Sequence, residues 1–337
     1  MIEENGTGVC VIIAAKDAAG TIGKAIRSAL AETAVQEVVV VDDGSADGTS
    51  DAAHRADDGT GRLRVARFEQ NRGPSAARNH AIDMSTAPLI GILDADDFFF
   101  PGRFAPMQAE ADWDLIADNI GFIHHDPAQP VEPERFEART RRLTLVDFVE
   151  GNISRRGRPR GEIGFLKPVM RRSFLMRHGL RYDESLRLGE DYDLYLRALA
   201  RGARYKVIDH CGYGAVVRAN SLSGRHRTED LRRLYEAERR LRLTPGLLTK
   251  AQARVVKRHE DHIRARHDLR HILDVKATGG AAVALGHLLA HPQTAPAVLA
   301  GVLCDKLDAL AGKRHAQPPV PAGKLRYLLP GVPVAQP

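Results

Sequence analysis

Two apolar runs near the start of the chain each end abruptly in carboxylates, and this pairing constrains the fold more than any other feature. Val38–Val41 runs into Asp42-Asp43-Gly44-Ser45, and Leu89–Leu93 runs into Asp94-Ala95-Asp96-Asp97. A run of β-branched and apolar residues without alternation predicts a strand buried on both faces, which is the habit of parallel strands covered by helices. Val9–Ala15 is a third run of this kind, and Leu63–Phe68 a shorter fourth. Between them, Ala18–Leu30 carries helical spacing at Ile22, Ala25, Ile26, Ala29 and Leu30. Pro74–Met84 predicts a helix with proline in its first turn, where the missing N–H costs nothing. Alternating strands and helices predict an α/β fold with a mainly parallel sheet flanked by helices. Ligands bind beyond the carboxyl ends of such strands, and both acidic clusters fall there.

Beyond Phe98 the pattern loosens. Pro101–Ala111 predicts a helix, Asp114–Ile120 a strand, and residues 126–142 a loop. Gly151–Gly161, with Arg155, Arg156, Arg158 and Arg160, reads as a basic loop. Tyr192–Ala200 is a helix closed by Gly202, followed by strands at Tyr205–Ile208 and Tyr213–Val217. From Thr228 onward only helices are expected, at 229–241, 247–268, 280–290 and 294–310. Ala277–Cys304 holds no Lys, Arg, Asp or Glu over 28 residues, but His-Pro-Gln-Thr-Ala-Pro at 291–296 cuts it. A membrane span needs ~20 continuous apolar residues. A helical hairpin, packed on the protein or lying at a membrane surface, is therefore expected instead. The organisation expected is a main domain over 1–225 and a helical C-terminal extension over 226–337 with a Pro-rich tail. The main domain would comprise a nucleotide-binding half, about 1–120, and an acceptor half, about 121–225.

Charge and cysteine content narrow the function classes. Residues 1–138 hold 11 Lys/Arg against 24 Asp/Glu, whereas 139–181 hold 12 against 3, within a chain of net charge +6. An acidic half joined to a basic half suits a metal on one side and phosphates on the other. Anionic membrane would suit the basic part as well, and much of 225–270 reads simply as solvated arginine-rich helix. No nucleic-acid-binding motif accompanies the basic half, so nucleic acid is not an expected partner. Residues 14–20 offer only Gly20 where a nicotinamide-binding Gly-x-Gly-x-x-Gly would be needed, which removes a dehydrogenase. Cys10, Cys211 and Cys304 are far apart and odd in number, against a disulfide framework. Met1-Ile2-Glu3-Glu4-Asn5 carries acid where a secretory leader needs base, so a cytoplasmic location is expected.

The clusters themselves suggest chemistry. Side chains at i and i+2 of an extended segment share a face, so Asp94 and Asp96 can converge. Three carboxylates within four residues repel one another unless a cation compensates them, and hard oxygen donors suit Mn2+ or Mg2+ completed by phosphates and water. Asp42-Asp43-Gly44-Ser45 can bind a ligand, or can merely cap a helix starting near Ala46. Asn71-Arg72-Gly73-Pro74-Ser75 with Arg78-Asn79 offers a helix N-terminus and a guanidinium fork for an anion, although ordinary capping would explain it alone. Glu190-Asp191 can serve as partners of a helix dipole or supply a general base. Arg218 with Ser221 and Ser223 forms a further phosphate-type donor set.

Taken in order, Val-Ile-Ile-Ala-Ala-Lys-Asp at 11–17, Val-Asp-Asp-Gly-Ser at 41–45, Asn-Arg-Gly-Pro-Ser-Ala-Ala-Arg-Asn at 71–79, Leu-Asp-Ala-Asp-Asp at 93–97 and Gly-Glu-Asp-Tyr-Asp-Leu at 189–194 form a pattern. Across roughly residues 9–225 it resembles the family 2 glycosyltransferases, inverting enzymes with a GT-A fold. Within them the chain looks most like the bacterial glucosyltransferases of succinoglycan-type exopolysaccharide assembly. The resemblance implies a UDP-sugar donor, with glucose as the sugar, and transfer to a lipid-linked oligosaccharide acceptor at the cytoplasmic membrane face. A lipopolysaccharide or capsule transferase using another nucleotide sugar, or an inactive nucleotide-sugar-binding scaffold, are the alternatives. It further implies that Asp43 and backbone near Ala15 hold the nucleoside, Asp94 the ribose or metal, and Asp96 the Mn2+ or Mg2+. Arg78 would lie near the nucleotide-sugar, Asp191 would be the catalytic base with Glu190 beside it, and Arg218 and Ser223 would hold the pyrophosphate. One departure is plain: the family's Pro-x-Tyr-Asn after the first strand is Ala14-Ala15-Lys16-Asp17 here.

Overall fold

The computed structural model describes residues 6–124, 131–154, 163–217, 227–296, 298, 299, 301 and 325–330. The first half alternates β1 (Val9–Ala15), α1 (Ile22–Leu30), β2 (Val35–Asp42), α2 (Thr49–His54), β3 (Leu63–Arg67), α3 (Pro74–Met84) and β4 (Leu89–Ile92). The strands lie side by side in the order β3-β2-β1-β4, all parallel. Both faces are covered, as the unbroken apolar runs require. Ile22, Ala25, Ile26, Ala29 and Leu30 of α1 pack against Val9, Val11, Ile13, Val38 and Val40. The alternate residues Cys10, Ile12, Val39 and Val41 are also fully buried, on the face to which α3 contributes. Each such Val, Ile or Leu contributes about 1.5–3 kcal/mol by leaving water, which is why the register of this central sheet is tightly fixed.

The second half adds β5 (Phe98–Phe99), α4 (Ala105–Gln108), β6 (Leu115–His124), β7 (Thr140–Leu143), α5 (Leu145–Glu150), β8 (Val169–Arg171), α6 (Arg172–Arg177), α7 (Glu190–Ala200) and β9 (Tyr205–Val217). Here the sheet becomes mixed. β8 runs antiparallel to both β4 and β6, β9 is parallel to β6, and β5 is antiparallel to β9. Five expectations need correcting. The helix expected over 101–111 is the single turn Ala105–Gln108, since the preceding Pro101-Gly102 forms a turn with Gly102 at φ 80°. The strand expected over 114–120 extends to His124. Thr140–Leu143, within the expected loop 126–142, pairs with β9 despite its polar sequence. The two strands expected at 205–208 and 213–217 are one strand, continuous through the polar pair Asp209-His210 with irregular pairing near Asn119. The helix expected over 18–30 begins only at Ile22.

The chain forms two compact units, Met1–Ala219 with Val320–Pro337, and Asn220–Pro319. Arg326–Tyr327 (β10) pairs antiparallel with β6, so part of the Pro-rich tail assigned to the C-terminal extension joins the first unit's sheet. Asn119 fixes it, its amide donating to Leu329 O and its Oδ1 accepting from Leu329 N, both at 2.9 Å. The second unit is helical in its described residues. α8 (Thr228–Leu243) buries Leu231, Leu234, Ala237 and Leu241, while α9 (Lys250–Ala290) buries Val255, Val256 and Ile263. Thr249 caps α9 reciprocally with Gln252. The expected helices at 247–268 and 280–290 are joined into α9, which breaks at Gly280 (φ 81°, ψ 176°). Ile272, before the break, forms a small cluster with Ala284 and Val298, which follow it. The apolar arm after Gly280 is about 15 Å long at 1.5 Å per residue, short of a membrane's hydrocarbon core, although the whole of α9 is long and apolar enough by length and composition alone.

Candidate active site

The loops after β1 and β2 are tied to one another. Asp43 N donates to Ala15 O at 2.8 Å, Lys16 Nζ to Gly44 O at 2.6 Å, and Asp17 N to Ser45 Oγ at 2.9 Å. Lys16 and Asp17, which stand in the departure from the family pattern, thus staple two strand ends. Gly44 is required there: its φ is +69°, and a Cβ would lie 2.9 Å from the carbonyl carbon of Gln70. Ser45 does not cap a helix at Ala46, because α2 begins at Thr49 behind a left-handed Gly48. Asp43 is buried, and its oxygens accept from Arg72 N at 2.6 Å and Gly73 N at 2.9 Å. That pair of bonds sets the turn that launches α3. Ala15, also buried, has its carbonyl taken by Asp43.

α3 then presents three buried polar residues, Ser75, Arg78 and Asn79. Asn79 accepts from Tyr182 N at 2.9 Å and donates to Tyr182 O at 3.0 Å, docking the segment that leads into α7. Arg78, the residue before Asn79, reaches three carboxylates. Its Nη2 lies 2.9 Å from Oδ1 of Asp94, and its Nη1 lies 2.8 Å from Oε1 of Glu190 and 3.4 Å from Oδ1 of Asp191. Glu190 and Asp191 open α7 behind Gly189 (φ 71°), and the helix is seated by Tyr192 stacking on Phe148 at 5.2 Å. Four residues expected at the site from separate motifs, Arg78, Asp94, Glu190 and Asp191, are therefore brought together.

Motif reasoning missed a fifth. Lys167, between a 3-10 turn at Ile163–Phe165 and β8, lies 2.8 Å from Oδ2 of Asp94 and 2.8 Å from Oδ2 of Asp191. Burial would lower its pKa, but Asp191 and Asp94 overcome burial and hold the ammonium well above its ordinary range. The converse holds at Asp94, where burial is outweighed by Lys167 and then Arg78, leaving the carboxyl well below its ordinary range. Two cations thus face three carboxylates in one buried cluster. Nothing in the local sequence around a lone Lys-Pro announces this, because every partner is distant in the chain.

The acidic run after β4 relieves its repulsion in two ways. Asp94 is compensated by the two cations. Asp97 is buried, accepts from Tyr213 Oη at 2.8 Å and Val216 N at 2.9 Å, and is pushed up to about 8 by burial and by Asp94 and Asp96. Asp96 remains half-buried at the site's edge. Tyr213 Oη also accepts from Asp94 N at 3.1 Å, locking the run to β9. Among the described residues no three His, Cys, Asp or Glu form a ready metal cage. The half-buried carboxylates of Asp96 and Asp94 are hard oxygen donors that fit an ion whose shell is completed by diphosphate and water. Arg218 and Ser223 lie outside the described residues.

A family model described as "Glycosyl transferase family 2" matches residues 10–175. The chain is 58% identical over 337 residues to the succinoglycan biosynthesis protein ExoU of Rhizobium meliloti (strain 1021), covering 98% of each. Among solved structures it resembles Staphylococcus aureus TarS 1–349 in complex with UDP-GlcNAc, with a TM-score of 0.58 and 20% identity over 81% of this chain and 74% of that one. It also resembles the mannosyltransferase PcManGT of Pyrobaculum calidifontis in complex with GDP-Man and Mn2+, with a TM-score of 0.52 and 18% identity over 91% and 88% of the two chains. At such identities the structural likeness speaks for the fold alone, and that fold is GT-A.

Proposed function

The chain belongs to glycosyl transferase family 2, and from that premise we propose that it moves glucose from UDP-glucose to a hydroxyl of a lipid-linked oligosaccharide in succinoglycan-type exopolysaccharide assembly. The full-length likeness to ExoU supports the pathway class. The observation that carries the catalytic reading is the cluster itself. Asp94, at the end of β4, and Asp191, in the first turn of α7, are held to common cations beyond the carboxyl ends of the parallel strands. Such a place suits a donor on one side and a base on the other.

In this mechanism Asp191 takes the proton of the acceptor hydroxyl as that oxygen attacks C1 of the sugar. The C1–O bond to the diphosphate breaks on the opposite face, and the electron pair leaves with UDP, so an α-linked donor gives a β-glycoside. A carboxylate base is apt because the hydroxyl needs deprotonation only as it attacks, and such a base contributes ~10²–10⁴-fold. Asp96, with Asp94 near it, would hold Mn2+ or Mg2+, which when bound supplies Lewis-acid neutralisation of the leaving diphosphate. Asp43 and the backbone near Ala15 would face the nucleoside, and Arg218 and Ser223 would bind the pyrophosphate. Arg78 and Glu190 keep Asp94 and Asp191 in place at the donor's edge.

The acceptor would be met at the cytoplasmic face of the membrane. The basic balance of residues 139–181 supports contact with anionic lipid, as do Leu285, Leu289 and Leu299, which are well exposed in the second unit. The test is UDP or other nucleotide release over a panel of UDP-, GDP- and dTDP-sugars, with acceptor-bearing membranes, with and without Mn2+. Metal-dependent release from UDP-glucose is expected. Release from a GDP- or dTDP-sugar alone would overturn the donor assignment.

A further inference from the structure

Lys167 is fixed at both ends in a way that a lysine serving solubility or simple packing is not. Its ammonium touches Asp94 and Asp191 at 2.8 Å each, and its side chain is 7% exposed. Its carbonyl accepts from Arg103 Nη2 at 2.6 Å. Arg103 is itself fully buried, with Nη2 2.9 Å from Oδ1 of Asp118. Pro168 follows and restricts the Lys167 backbone to extended conformations. A buried ammonium is costly unless well compensated, and here two carboxylates from opposite sides of the site supply the compensation.

The two oxygens of Asp191 are then unequal. Oδ2 is engaged by Lys167 at 2.8 Å, whereas Oδ1 is buried with no hydrogen-bond partner among the described residues, Arg78 Nη1 standing off at 3.4 Å. A buried carboxylate oxygen without a hydrogen bond, on a residue whose other oxygen is held, marks a place where a substrate group completes the bonding. The Tyr182 hydroxyl faces the same carboxylate, and burial together with the charge of Asp191 keeps that phenol neutral.

We propose that Lys167 is a positioning residue for the transfer reaction: by holding Oδ2 of Asp191 it presents Oδ1 to the acceptor hydroxyl, and by holding Asp94 it sets the spacing between base and donor. This rests on the reading of Asp191 as base. The proton passes from the hydroxyl to Oδ1 as the new C1–O bond forms, while Lys167 keeps its own protons throughout. Lys167→Met keeps the stem and loses the grip, and a base displaced by 1 Å can cost ~10²-fold.

The experiment compares Lys167→Met, Lys167→Arg and Asp191→Asn, using the donor that the wild type turns over in the panel and UDP with Mn2+ as the calorimetric probe. Lys167→Met should lose ~10²-fold in turnover while UDP affinity stays within about threefold. Lys167→Arg, which restores the charge, should recover about tenfold of that loss, and Lys167→Met should add no further loss in the Asp191→Asn background. A fall in UDP affinity by the same factor as turnover, or an arginine variant no better than methionine, would overturn the proposal. If the methionine variant is not folded by circular dichroism, Lys167→Gln replaces it under the same criteria. Asp191→Asn at wild-type turnover would sink the base reading itself; Asp191→Asn inactive beside an unimpaired Lys167→Met would sink only the role of Lys167.

Discussion

Nη1 of Arg78 lies 2.8 Å from Oε1 of Glu190, joining α3 to the first turn of α7 across 112 residues of sequence. The same guanidinium holds Asp94 through Nη2 at 2.9 Å, so one side chain couples a strand end to two helices. The Asp43 bonds to Arg72 N and Gly73 N orient α3 for this reach, and the Asn79 bonds to Tyr182 bring α7 to meet it. Removing Arg78 would leave Asp94 and Asp191 to Lys167 alone and take from Glu190 its guanidinium partner. Arg78→Ala should destabilise the fold by about 3–5 kcal/mol, the cost of breaking a buried pair from one side. Arg78→Lys should restore little, because a single ammonium cannot replace a planar fork. Urea unfolding monitored by circular dichroism checks this, and an unchanged midpoint in Arg78→Ala would contradict it.

Much of this was legible in the sequence wherever the signal was local. Pro74–Met84 begins and ends as read, because Gly73-Pro74 and the polar Ser85-Thr86 punctuate it chemically. β1 matches its expected bounds because every residue from Val9 to Ile13 is buried on a two-faced strand. Lys167 was illegible because its meaning lies in Asp94 and Asp191, neither of which its neighbours reveal. Thr140–Leu143 was illegible for a related reason: a polar strand is held by its pairing with β9, not by its own pattern. The merging of two expected strands into Tyr205–Val217 shows the same override, since β6 pairs across the polar break.

Asp96 is the test of metal dependence. Asp96→Asn removes the half-buried carboxylate proposed to hold the ion and keeps Asp94, Arg78 and Lys167 in the sequence. UDP affinity measured by calorimetry in the presence of Mn2+ should fall by about tenfold or more, while affinity without metal stays put. Equal affinities for wild type and variant in Mn2+ would rule Asp96 out as the ligand.

The thiols of Cys10 and Cys211 should be inert in the native protein. Burial pushes Cys10 up to about 12, and burial with the charge of Asp118 pushes Cys211 higher still. Each is then a neutral thiol at pH 8, and the thiolate is the reactive form. Iodoacetamide followed by peptide mass analysis should leave both unmodified until the chain is unfolded. Rapid native labelling of Cys10 would show that the central sheet opens far more readily than its packing implies.

Membrane contact makes its own prediction. Leu285 and Leu289 are 59% and 74% exposed on the arm after Gly280. The chain should co-sediment with phosphatidylglycerol vesicles at low ionic strength and detach as salt screens the basic residues. Leu285→Ser with Leu289→Ser should weaken binding at every salt concentration, since it removes the apolar part alone. Absence of wild-type binding at low salt would remove the membrane from the account.

The most direct test of the central claim is single-turnover sugar transfer by Asp191→Asn beside the wild type, with UDP affinity in Mn2+ measured on the same samples. Transfer should fall by ~10²–10⁴-fold while UDP affinity is nearly unchanged, because asparagine keeps the shape and loses only the basicity. Wild-type transfer by the variant would contradict the account, since no carboxylate at position 191 would then be needed to take the acceptor's proton.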